Sequence, residues 1–516
     1  METEIHGITG ITAREYQRKI AESALAGNTL VVLPTGLGKT VIALLVAVER
    51  LSRFPDGKVL VLAPTRPLVI QHSRFFEEHL GDRVPATVLT GEVSPEARAS
   101  LFEKSRLVFA TPEVVRNDVL DQRYSLRSVC LVVFDEAHRC VRDYAYSEVA
   151  EAYKREASNQ LIMGLTASPS ARKTKIEEIC GKLAIANVET RIEDDADVTP
   201  YVKEVSVNWA RVSLPQTYRQ ISKILRDALD DRIVKLRLMR LLPNGVPASK
   251  RLLLELGAKL HERIRKGGPR MLYGAVVLQA QGMSLMHSVE VLETQGVHSL
   301  TRALARLSNA ETKSARGLSK DPRIIEAEKL SKSLEDSEHP KLKRLRELTT
   351  EDLRLNKSAK VIVFTQFRDT VEVIVNNLNG LEGVSAVRFV GQATRSEQDP
   401  GLRQSEQVQI LEKFREGVYN VLVTTSIGEE GLHVPDVDHV IFYEAVPSEI
   451  RTIQRRGRTG RTRPGKMTVL IAEGTIDEAY YHTSRRKEQQ MHRFLETVKR
   501  SGGKPRRRKA TLLDYA

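Results

Sequence analysis

The chain reads Leu33-Pro34-Thr35-Gly36-Leu37-Gly38-Lys39-Thr40 directly after the apolar run Thr29–Leu33 and at the start of the helical stretch Lys39–Leu51. A glycine-bearing loop between a strand and a helix is the setting of a phosphate-binding loop. Glycines let backbone N–H groups wrap the phosphate oxygens, and the helix N-terminus adds a favourable dipole. Lys39 can reach the β- and γ-phosphates, and the Thr40 hydroxyl can ligate Mg²⁺. Leu33 stands where such loops usually begin with glycine, so a plain glycine turn before a helix is the competing reading.

The surrounding pattern fixes the fold class as α/β. Thr29–Leu33, Lys58–Ala63, Thr87–Leu89, Leu107–Ala110, Cys130–Phe134 and Leu161–Leu165 are short, β-branched or Leu-rich runs bounded by Gly, Pro or polar residues. Helical patterns such as Pro67–Leu80 lie between them. Strand–helix alternation implies a parallel sheet covered on both faces. The pattern returns with Lys360–Thr365, Val384–Phe389, Val421–Thr424, His439–Phe442 and Lys466–Ile471. Between the two, helices are expected over Pro215–Leu242, Ser249–Lys266, Arg270–Thr294, Ser299–Ser308 and Arg323–Leu334, broken at Pro243-Asn244-Gly245 and Gly267-Gly268-Pro269. The expected organisation is two parallel-sheet domains, 1–199 and 339–484, an all-helical insertion at 200–338, and a basic tail at 485–516.

Composition narrows the class. The chain has 516 residues, 41% hydrophobic and 28% charged, as in an ordinary globular protein. No apolar run approaches the ~18 residues of a membrane span, and no secretory signal is visible. Cys130, Cys140 and Cys180 lack metal-site spacing and fit a reducing cytoplasm. The net charge is +14, and it is concentrated: residues 200–338 carry 24 Lys/Arg against 15 Asp/Glu, and residues 485–516 carry 11 against 3. Basic segments on a near-neutral body suit a polyanion binder, with solvated helix faces as the alternative.

Asp135-Glu136-Ala137-His138 ends the strand Val129–Phe134. One carboxylate there can bind Mg²⁺ and its neighbour can activate the attacking water. At a strand end of the same sheet as the Lys39 loop, this pair completes a set that describes a Mg-dependent NTPase. In the second domain, Gln454-Arg455-Arg456-Gly457-Arg458-Thr459-Gly460-Arg461 offers arginines that can reach a γ-phosphate across a domain interface, or face nucleic acid as a basic turn.

With these motifs in order, the chain resembles the superfamily 2 helicases, which have two RecA-like domains. Arg14-Glu15-Tyr16-Gln17 resembles the adenine-reading Q element. Ala63-Pro64-Thr65-Arg66, Thr90-Gly91 and Thr111-Pro112-Glu113 resemble motifs Ia and Ib. Thr166-Ala167-Ser168 resembles motif III, Val363-Phe364-Thr365-Gln366 motif IV, and Thr425–Leu432 motif V. The Leu33–Thr40 loop, the DEAH box, Ser426–Leu432 and the long helical insertion are similar to the archaeal Hef helicases, relatives of the FANCM translocases. The resemblance implies that Gln17 reads adenine and that Lys39 and Thr40 hold phosphates and metal. It implies that Asp135 binds Mg²⁺, that Glu136 is the general base, and that Arg458 and Arg461 are arginine fingers with Gln454 near the γ-phosphate. Thr65, Arg66, Thr90, Gly91, Thr111 and Thr425 are implied strand contacts. His433 stands where related motifs often carry an Asp near the ATP ribose, so no ribose contact is expected there. The nuclease signature of many Hef proteins is absent, so the chain reads as the helicase portion alone.

The insertion carries Arg226, Arg232, Lys235, Arg237, Arg240, Arg251, Lys259, Arg263, Arg265, Lys266 and Arg270. Leu225, Ile233, Leu236, Met239 and Leu242 are expected to form the buried face of its first helix, leaving the cations outside. Of these, Arg237, Arg240, Lys266 and Arg270 are the expected phosphate contacts, which would hold duplex DNA without reading sequence. Trp209 is expected in the core. At the end, Lys509, Leu512 and Tyr515 resemble a sliding-clamp (PCNA) binding peptide over 509–516, with a chance terminus as the alternative.

The combined expectation is an ATP- and Mg-dependent DNA helicase or translocase. It would act on forks and four-way junctions with 3′-to-5′ polarity, alongside a separate structure-specific nuclease, and be nucleoid-associated in the cytoplasm. The rivals are a double-stranded-RNA-stimulated ATPase and a non-motor junction scaffold.

Overall fold

The computed structural model describes residues 8–141, 144–168, 173–334, 337–394, 401–425, 435–448, 459 and 464–500. The first sheet contains β1 (Thr29–Val32), β2 (Lys58–Leu62), β3 (Ala86–Leu89), β4 (Leu107–Ala110), β5 (Val129–Phe134), β6 (Ile162–Thr166) and β7 (Asn187–Thr190). Its order is β3-β4-β2-β5-β6-β1-β7, and every pairing is parallel. All residues of β1, β2, β4, β5 and β6 are buried, as a sheet packed by helices on both faces requires. Two apolar clusters fill those faces: Leu30, Leu60, Val132 and Phe134 point to one, and Val31, Val61, Val133 and Leu165 to the other. Because β5, β6 and β1 are neighbours, the segments leaving their carboxyl ends meet along one edge, where ligands of open α/β sheets bind.

The second sheet contains β8 (Val205–Val212), β9 (Val361–Phe364), β10 (Ala386–Phe389), β11 (Val421–Thr424), β12 (His439–Phe442) and β13 (Gly465–Ala472), in the order β10-β11-β9-β12-β13-β8, again all parallel. Strand β8 lies inside the stretch read as helical. It pairs with β13 over its whole length, so the helical part of the insertion begins at Gln216. As an edge strand it leaves most residues outside the core. Trp209, expected in the core, is 43% exposed and rests against Tyr481.

The insertion helices are Gln216–Leu238, Lys250–Arg265, Met271–Gln295, Val297–Ser308, Lys313–Ser319 and Pro322–Lys332. Leu225, Ile233, Leu236 and Leu242 are buried in their shared core, with Met239 packed against it. Arg232 departs from the expected outward placement. It is buried, ion-paired to Asp321 at 2.7 Å, and it donates to Gln281 at 3.3 Å. The insertion is rooted in the second domain: Gln295 donates to Glu444 at 3.2 Å and accepts from Thr370 at 2.5 Å.

The stretch read as a basic tail from Arg485 begins as helix. One helix, Ile476–Arg500, leaves the second domain and crosses to the first. Its start is tied down by the fully buried ion pair of Asp477 with Lys341 and by Tyr480, whose hydroxyl donates to Glu290 at 2.9 Å. Its later turns place Met491 and Leu495 in the apolar cluster of the first domain. Among the described residues, no helix is long and apolar enough to cross a membrane.

Candidate nucleotide-binding cleft

The loop after β1 turns through Gly36 (φ +85°) and Gly38 (φ +78°), a left-handed backbone that favours glycine. A Cβ on Gly38 would also meet the Gln17 amide, so the loop is built around these two glycines. Helix Lys39–Arg53 starts immediately after them, so its unpaired N–H groups face the loop. The Lys39 ammonium donates to Leu33 O at 3.0 Å across the mouth of the loop. Behind it, the Tyr16 hydroxyl and the Gln17 amide both donate to Leu37 O, at 2.7 and 3.1 Å. Gln17 Oε1 accepts from Arg14 N at 2.9 Å. In this structure Gln17 therefore braces the loop, with both ends of its amide bonded to protein.

Asp135 and Glu136 follow β5. Asp135 is buried, and its Oδ2 lies 2.8 Å from His72 Nε2. Burial works against its charge, but His72 and the Lys39 ammonium outweigh this and hold its carboxyl below the ordinary range. Glu136 adopts φ +49°, uncommon for a residue with a side chain. Its Oε2 is buried without a hydrogen bond, 3.2 Å from His138 Nδ1. Glu136 thus places a carboxylate beside His138 at the end of β5, the type of group a general base requires. His138 Nδ1 also lies 3.2 Å from Thr166 Oγ1, which accepts from Ser168 N at 3.2 Å.

His72 was not anticipated. It sits among Val69, Ser73 and Phe76 on the buried side of helix Arg66–Leu80, and its only sequence signal is a polar residue within that apolar stripe.

A cavity of about 490 Å³ opens beside the loop, lined by Pro34–Leu37 and Ala167 from the first domain, Val205 and Thr459 from the second, and Met491 of the bridging helix. Thr459 donates to Val437 O at 2.6 Å. It is the one described member of the arginine-rich motif and it faces the phosphate loop across the cleft. Gln454, Arg458 and Arg461 lie outside the described residues, as do Ser426–Leu432 and His433 of motif V and the peptide 509–516.

The loop glycines, the helix start, Thr40 in its first turn and the low-pKa carboxylate of Asp135 form a donor set that fits a nucleoside triphosphate with Mg²⁺. Of the implied strand contacts, Thr65, Arg66 and Thr111 are half-buried, and the others divide between buried and exposed positions. Thr65 and Thr111 precede helices Arg66–Leu80 and Pro112–Leu120, and the Thr65 hydroxyl is buried without a partner. Arg66 pairs with Glu92 and donates to Gln404 of the second domain at 3.0 Å. Thr90 and Thr425 are buried, and Gly91 is exposed. In the insertion, Arg240, Lys266 and Arg270 are exposed and Arg237 is half-buried, donating to Val246 O at 2.6 Å. Lys266 pairs with Glu262 at 2.8 Å within its own helix.

Residues 14–176 match the DEAD/DEAH box helicase family, 340–463 the helicase conserved C-terminal domain, and 217–338 the helical bundle of a provisionally named ATP-dependent RNA helicase family. The helicase domain of Hef from Pyrococcus furiosus, a crystal structure, is 44% identical, covers 92% of this chain and is itself 98% covered, with a TM-score of 0.67. A protein of Methanocaldococcus jannaschii, provisionally named an ATP-dependent RNA helicase, is 41% identical over 95% of this chain and 61% of its own length. The ATP-dependent DNA helicase mph1 of Neurospora crassa is 32% identical over 93% of this chain and 43% of its own length. The chain thus spans under two thirds of the length of these two curated relatives. Two parallel-sheet domains, a cleft built on the loop 33–40 and the carboxylates 135–136, and this degree of similarity place the chain in the Hef/FANCM family of ATP-dependent superfamily 2 helicases.

Proposed function

We propose that the chain is an ATP-driven DNA translocase acting on branched DNA such as forks and four-way junctions, moving 3′ to 5′. The observation that carries this reading is the cleft itself. Pro34–Leu37 of the phosphate loop face Thr459 of the other domain across the cavity, and Asp135–Glu136 follow β5 of the same sheet as that loop. In this reading Gln454, Arg458 and Arg461 act at the γ-phosphate when the domains close around ATP. Lys39 and the loop N–H groups hold the phosphates, Thr40 and Asp135 hold Mg²⁺, and Glu136 takes the proton of the attacking water. Bound Mg²⁺ would neutralise phosphate charge. Thr65, Arg66, Thr90, Gly91, Thr111 and Thr425 track one strand, and the exposed cations of the insertion grip the adjoining duplex. The DNA helicase name of the Neurospora relative supports DNA as the polymer.

A second reading, a double-stranded-RNA-stimulated ATPase, is favoured by the RNA helicase descriptions of the Methanocaldococcus relative and of the helical bundle. Steady-state ATPase measured with single-stranded, forked, four-way and RNA-duplex ligands separates the two. Strongest stimulation by forked or four-way DNA supports the proposal, and strongest stimulation by RNA duplex overturns it.

The peptide 509–516 is proposed to tether the motor to a sliding clamp, raising its local concentration at forks. A separate structure-specific nuclease is the proposed downstream partner, and nucleoid association the proposed location. Calorimetry of the peptide 504–516 with a clamp tests the tether. Binding lost in the Leu512→Ala, Tyr515→Ala double variant supports it, and no binding at high micromolar concentration removes it.

A further inference from the structure

Gln17, the residue implied to read the nucleotide base, is buried and has both ends of its amide engaged with Leu37 and Arg14. A purine also needs a flat face to stack on, and aromatic side chains supply such faces to bases in nucleic-acid complexes. Tyr16, beside Gln17, cannot offer one because its ring is completely buried. Among the described residues lining the cleft cavity, Tyr201 carries the one phenol or phenyl ring, and it is 40% exposed.

Tyr201 belongs to the segment that joins the two sheets, between β7 and β8. It closes a short 3₁₀ turn, Thr199–Tyr201, held by its own N–H donating to Val198 O at 2.8 Å. Val198 is completely buried in the same apolar cluster as Tyr16, which anchors the turn to the first domain. The Arg14 guanidinium covers the Tyr201 ring at 4.3 Å from its centroid, and the Tyr16 ring lies 5.8 Å away at a tilt. Arg14 does not line the cavity, whereas Tyr201 does, together with Pro34–Leu37. The ring is thus backed by a cation and a buried aromatic, and it borders the space next to the phosphate loop.

We propose that Tyr201 is the base platform of the nucleotide site: adenine stacks on its cavity face while Arg14 and Tyr16 hold the ring in place. This rests on the assignment of the cleft as the ATP site and adds a residue that confers affinity for the base. A 4.3 Å cation–ring contact leaves no room for a base between Arg14 and Tyr201, so the base takes the opposite face.

The test is calorimetry of the full chain with ADP and, separately, with tripolyphosphate, which has the phosphates but no base. Tyr201→Ala is expected to weaken ADP by about tenfold or more and to leave tripolyphosphate within about twofold of wild type. Tyr201→Phe and Tyr201→Trp are expected to keep ADP within about threefold. Unchanged tripolyphosphate binding also reports that the variant is folded. The proposal is overturned if Tyr201→Ala binds ADP like wild type, or if it weakens both ligands equally, which would mark a structural role. It is also overturned if His492→Ala, the other ring lining the cavity, produces the base-selective loss instead. A wild-type chain that binds tripolyphosphate but gains nothing from the base overturns it while sparing the phosphate site.

Discussion

Ser168 Oγ, at the end of the Thr166-Ala167-Ser168 segment of the first domain, donates to Met491 Sδ of the bridging helix at 3.0 Å. Ser168 is joined through Thr166 to His138, and His138 stands beside Glu136. A continuous set of contacts therefore runs from the proposed general base to a helix rooted in the second domain. Met491 is 2% exposed, so Met491→Ala should cost about 2–4 kcal/mol in urea unfolding of the first-domain transition, while Met491→Leu should cost less than about 1.5 kcal/mol. Equal stability of wild type and Met491→Ala would mean that the helix does not dock there in solution.

The insertion should come apart from within when Asp321 is neutralised. Asp321 is 8% exposed and receives Arg232 at 2.7 Å and Arg323 at 2.9 Å. Asp321→Asn leaves the buried Arg232 with only the Asp231 carboxylate, at 3.1 Å, and the expected loss is about 1–3 kcal/mol by urea denaturation. Hydrogen bonds from Arg323 and Arg232 hold the Asp321 carboxyl well below the usual carboxylate range. A depressed carboxylate contributes its stability above the unfolded pKa, near 3.8, and loses it as pH falls through the folded value. Wild type should therefore lose this part of its stability below about pH 4, and Asp321→Asn should lack that component of the acid dependence.

Much of this organisation was legible in the chain. The loop 33–40 could be read because only glycine sits comfortably at φ near +80°, and the strands because doubly covered strands are apolar throughout. What was missed lies at edges and in charged helices. Strand β7 is four residues long, and all but Val188 are polar. Strand β8 alternates Val205, Val207 and Trp209, a real strand signal, but it adjoins a long helical stretch and exposes most of its residues. The helix Ile476–Arg500 hides its docking face, Met491 and Leu495 at i and i+4, within a run of arginines and lysines. Arg232 looked like its solvent-facing neighbours because its partner Asp321 is 89 positions away, and no local rule connects the two.

Duplex gripping by the insertion should show in salt dependence. Arg240, Lys266 and Arg270 are exposed, and Arg237 is half-buried. With all four changed to Gln, the slope of log K against log salt for fork binding should flatten by ~0.9 for each phosphate that is no longer neutralised. Fork unwinding should fall while ATPase without DNA is retained. An unchanged slope, read by fluorescence anisotropy across a salt series, would place the duplex elsewhere.

The most direct test of the central claim is turnover by Glu136→Gln in the presence of forked DNA. Glu136 Oε2 is buried without a hydrogen bond, and the glutamine keeps the shape while removing the base. Phosphate release should fall by about 10²-fold or more, with ATP affinity and fork binding unchanged. Hydrolysis within about tenfold of wild type, a ~1.4 kcal/mol effect, would contradict the assignment of this cleft as the engine of the motor.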